Sequence, residues 1–62
     1  MNKNKFYEEI NKALQDHEDY HPRPSKSLGW IADKIDWCWK WRKISEKEMI
    51  ELAERTTKLF ER

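Results

Sequence analysis

The sequence predicts a small all-α domain of three helices, and three observations carry that expectation. Strand chemistry is missing: the 62 residues hold no valine, no sustained alternation and a single glycine, Gly29, so hairpin turns lack the residues that build them. Apolar residues recur instead at helical spacing in three segments. Punctuation separates those segments, a proline and serine connector over 21–27 and a serine cap ahead of the last one.

The first helix is expected over about 5–19. Phe6, Ile10, Ala13, Leu14 and His17 recur along one side, Lys5, Glu8, Glu9 and Lys12 lie outside, and Asn4 is placed to cap the first turn. Pro22 sets its end, because the residue before a proline is pushed out of helical backbone. The connector His21-Pro22-Arg23-Pro24-Ser25-Lys26-Ser27 then allows the chain to turn back. Ser25 or Ser27 caps a second helix over about 27–43, where Gly29 in the first turn either lowers stability by up to ~1 kcal/mol relative to alanine or admits close packing.

The third helix, over about 46–61, has the clearest start. Ser45 precedes Glu48 by three residues, the spacing of a capping box, and Ile44 is placed to staple onto Met49. Its inner face reads Met49, Leu52, Ala53, Thr56 and Phe60, with Ile50 and Leu59 at the borders and Glu51, Glu54, Arg55 and Lys58 facing water. Glu51 with Arg55, and Glu54 with Lys58, are spaced for i,i+4 pairing.

Size and composition then exclude several function classes. A chain this short makes one thin-cored domain, which hides only about 60% of its unfolded surface. Its 13 basic and 12 acidic residues nearly cancel, and the isoelectric point of 7.9 lies below the value above about 9 that is usual for nucleic-acid domains. Cys38 is alone, so no internal disulfide forms, and a reducing cytoplasmic setting is expected. The polar start and the absence of a long apolar run predict neither a signal peptide nor a membrane span.

Chemistry-bearing patterns are few. His17-Glu18-Asp19-Tyr20-His21 matches the zinc-protease spacing H-E-x-x-H, but that pattern needs continuous helix, and Pro22 follows the second histidine directly. A third ligand is also lacking, so His17 and His21 form only a weak metal candidate and no cofactor is expected. Cys38, on the aliphatic side of helix two, reads as a small buried hydrophobe with no base to activate it. No phosphate loop or nucleophile motif occurs, and enzymatic activity is not expected.

The tryptophans are the informative feature. Trp30, Trp37, Trp39 and Trp41 fall within one stretch of helix two. Winding at about 100° per residue puts Leu28, Ile31, Ala32, Ile35, Cys38 and Trp39 in one sector and Trp30, Trp37 and Trp41 roughly opposite. Either helix one covers the second group, or it is exposed and meets a partner. Exposed tryptophan beside Lys34, Lys40 and Arg42 suits a protein contact, with another protein or a second copy of the chain, and those six residues are the expected partner-binding set. The alternative is base stacking on the same basic-aromatic run by single-stranded nucleic acid. A helix-turn-helix reading with 46–61 as recognition helix comes third, since Glu46, Glu48, Glu51 and Glu54 would face phosphates. In composition the chain looks like small early proteins of bacterial viruses, many of which bind and disable a host protein; that resemblance implies an inhibitor acting by occlusion.

Overall fold

Residues 4–62 are described by the structure, a computed structural model, and they form three α-helices: α1 (Lys5–Glu18), α2 (Leu28–Lys40) and α3 (Glu46–Phe60). Each pair of helices packs together, so the core lies where all three meet. It consists of Ile10, Ala13 and Leu14 from α1, Ile31, Ile35 and Cys38 from α2, Ile44 from the turn, and Leu52 and Leu59 from α3. Thr56 is buried among them, its hydroxyl donating to the Leu52 carbonyl at 2.8 Å. None of the helices is long and apolar enough to cross a membrane, among the described residues.

Helix starts follow side-chain caps. Asn4 Oδ1 accepts from the Phe6 and Tyr7 N–H groups, Ser27 Oγ from Trp30, and Ser45 Oγ from Glu48, whose carboxylate accepts in return from the Ser45 N–H at 2.9 Å. The reciprocal pair at α3 is the capping box read from the sequence. Asn4 also reaches across the bundle, with Nδ2 donating to the Lys43 carbonyl at 2.7 Å. One side chain thus ties the start of α1 to the α2–α3 turn.

Helix ends depart from expectation. Both α1 and α2 finish in a paired-bond turn with a left-handed residue that is not glycine, Tyr20 and Arg42, each at φ 58°. At α1 the His21 N–H bonds the Asp16 carbonyl and the Tyr20 N–H bonds His17; at α2 Lys43 bonds Cys38 and Arg42 bonds Trp39. Pro22 therefore does not set the end of α1, which has already stopped. Likewise α2 closes at Lys40 and does not run on to 43, because the chain must turn to bury Ile44.

Several side chains also sit differently. Arg55, expected in water, is half-buried against α1. Phe60, expected inside, is exposed, while Leu59, expected at the border, is buried. The α3 core stripe is therefore turned by one position at its C-terminal end. Gly29 is exposed and its missing Cβ would meet only Ser27 Oγ at 3.8 Å, so it serves no close packing.

Candidate functional site

Helix α2 has one buried line and two flanks. Ile31, Ile35 and Cys38 form the line. At about 100° per residue, Leu28, Ala32 and Trp39 fall on one flank and Trp30, Lys34, Trp37 and Trp41 on the other. The first flank faces α3: a groove of about 210 Å³ there is lined by Ala32, Ile35, Ala53, Thr56, Thr57 and Phe60. The second lies beside Phe6 of α1. Trp30, Trp37 and Trp41 are thus not opposite the core but on one shoulder of it.

Exposure grades along that shoulder. Trp30 is half-buried and packs on the core, whereas Trp37 is 43% exposed and Trp41 59%. Phe6 and Trp37 ring centroids lie 6.1 Å apart and tilted by 37°; Trp37 and Trp41 lie 6.5 Å apart at 44°. Both separations lie within the roughly 4.5–7 Å over which aromatic rings attract one another. Phe6 thus steadies Trp37 without covering it, so helix one neither hides the stripe nor leaves it unsupported. Phe6 belongs to this cluster although its place in the first turn of α1 carries only a core signal in the sequence.

Cations fill the spaces between rings. Lys34 Nζ stands 5.0 Å from the Trp37 centroid, 5.8 Å from Trp30 and 5.9 Å from Phe6, and 3.7 Å from Glu9 Oε1. Lys26 lies 4.7 Å from Trp30 and Lys43 5.8 Å from Phe6. Trp30, Asp33, Lys34 and Trp37 line a shallow, open cleft of about 310 Å³. Lys40, the last residue of α2, is exposed. Arg42 does not join this group: its guanidinium stacks on Trp39, 4.9 Å from the centroid, on the flank toward α3.

The remaining candidates are held in structural bonds. His17 Nε2 donates to the Lys26 carbonyl at 2.6 Å, pinning the connector to α1. His21 lies beyond the helix, where its Nδ1 accepts from the Arg23 N–H at 3.1 Å. The two histidines therefore do not share a helical face. Among the described residues no three metal-ligating side chains gather. Cys38 is fully buried, and that burial pushes its thiol pKa above the ordinary value.

A polar belt joins α1 to α3 on the opposite side. Arg55 donates to both Glu18 oxygens and to Asn11, and Tyr7 donates to Glu51. The Tyr7 phenol is raised above its usual pKa, first by that hydrogen bond and then by desolvation. Compared with protein families, with characterised proteins and with solved structures, the chain matches none of them.

Proposed function

We propose that this domain is a non-enzymatic protein-binding module that docks through the α2 shoulder of Trp30, Trp37 and Trp41, with Lys34 and Lys40 at its rim. The observation that carries the reading is the exposure of two adjacent tryptophans, Trp37 and Trp41, in a chain with very few large side chains to spare for its own core. Contiguous exposed apolar surface marks contact sites, and tryptophan dominates binding energy when it loses water at one. An adaptor, or an inhibitor that works by covering a partner's surface, needs no more than such a face. A cytoplasmic setting suits a chain with one free, buried thiol.

The nucleic-acid alternative draws on the same rings, but Lys34 already stands between the Trp30 and Trp37 rings where a base would stack. Helix-turn-helix binding is disfavoured further by Glu46, Glu51 and Glu54, all exposed on α3. The test compares the wild-type chain with W37A/W41A, first by circular dichroism, then for protein capture and for titration with a single-stranded oligonucleotide at low and high salt. We expect unchanged helicity, captured protein lost in the variant, and no oligonucleotide binding. Salt-sensitive oligonucleotide binding that vanishes in the variant sinks the reading, as does a variant that unfolds.

A further inference from the structure

We infer that the occupant of the tryptophan shoulder is a second copy of this chain, docked with its α2 antiparallel. The inference rests on the reading of the shoulder as a docking face and names what covers it. Two features of α2 agree on one two-fold axis, running between the copies at the height of Asp36 and Trp37.

The first is charge. Asp33 and Lys40 are exposed and seven residues apart, so they project within about 20° of each other, on the solvent edge of the tryptophan stripe. Neither has an ion pair among the described residues. An axis midway between them places Asp33 of one copy beside Lys40 of the other, and symmetry makes the pair twice. A parallel two-fold pairing instead sets Asp33 against Asp33 and Lys40 against Lys40, which repels.

The second is ring placement. Trp37 lies next to the axis and meets its own copy. Trp30 lies about 10 Å before the axis and Trp41 about 7 Å beyond it, at 1.5 Å per residue. Antiparallel pairing therefore brings Trp30 of each copy to within about 3 Å in height of Trp41 of the other, a half-buried ring beside an exposed one.

Surface area sets the strength of the pairing. A common stable interface takes about 800 Å² from each partner, about a sixth of the 4878 Å² this chain exposes. One helix shoulder supplies less than that, so the dimer is weak and concentration-dependent.

Sedimentation equilibrium and light scattering across about 10 μM to 1 mM test this, a range suited to an interface of that size. The wild-type chain is expected to show a monomer–dimer equilibrium. D33K and K40D each alter two symmetric contacts and are expected to weaken it about tenfold, while D33K/K40D restores it to within about threefold. W37A is expected to abolish the dimer with helicity retained. A monomer throughout the range, a dimer indifferent to W37A, or a double swap that fails to restore the dimer overturns the inference. A monomeric chain that still captures another protein through Trp37 and Trp41 overturns self-pairing alone and leaves the docking reading in place.

Discussion

Arg55 of α3 grips Glu18 of α1 with two nearly parallel hydrogen bonds, Nε to Oε2 at 2.9 Å and Nη2 to Oε1 at 2.7 Å. Its third donor, Nη1, reaches Asn11 Oδ1 at 2.7 Å, so one guanidinium closes α3 against two turns of α1. The fork geometry is what a lysine lacks. R55A is expected to lower the unfolding free energy by about 1–2 kcal/mol, and R55K by less, in urea titrations. Equal midpoints for all three chains would assign the contact no weight.

The same pair makes stability depend on acid. Arg55 hydrogen bonding holds the Glu18 carboxyl below its ordinary value of 4.5, against an opposing desolvation effect. A carboxylate whose folded pKa is lowered stabilises the fold fully above the unfolded value and loses that contribution as pH falls through the folded one. E18Q should therefore melt below wild type near neutral pH and converge toward it as pH falls from about 5 to 3. Thermal melts across that range measure it; parallel curves would show that Glu18 titrates alike in both states.

Gly29 lies in the first turn of α2 with ordinary helical backbone and open space where a Cβ would go. G29A is expected to raise stability by about 0.5–1 kcal/mol, since alanine has less unfolded-state freedom to lose. A drop in the denaturation midpoint would reveal a packing role that the geometry does not contain.

Cys38 has no exposed surface, and burial disfavours its thiolate. Its modification by a thiol reagent should run at the rate of unfolding, accelerate in denaturant, and leave the native chain almost unlabelled. Rapid stoichiometric labelling in buffer would mean that α2 opens locally.

What the sequence made legible is what local chemistry determines. The capping box at Ser45 and Glu48, the Asn4 cap and the Ile31, Ile35 and Cys38 line each follow from residues within a few positions of one another. What it hid depends on tertiary fit. No glycine announces the ends of α1 and α2, because Tyr20 and Arg42 take the left-handed position themselves. Their side chains are not idle there: the Arg62 guanidinium lies 4.4 Å from the Tyr20 ring, and Arg42 covers Trp39. Arg55 read as solvated because its partners, Glu18 and Asn11, are about forty residues away in the chain. On the tryptophan shoulder the periodicity separated Trp37 and Trp41 from the core, yet could not show that Trp30 leans inward or that Phe6 props up Trp37.

Lys34, lodged among three rings, acts as a gatekeeper for the surface it serves. Anything that closes over those indoles must leave the ammonium a route to water or keep an anion such as Glu9 beside it. Greasy but uncharged surfaces meet a desolvation barrier there, so the patch discriminates among callers and resists indiscriminate clumping.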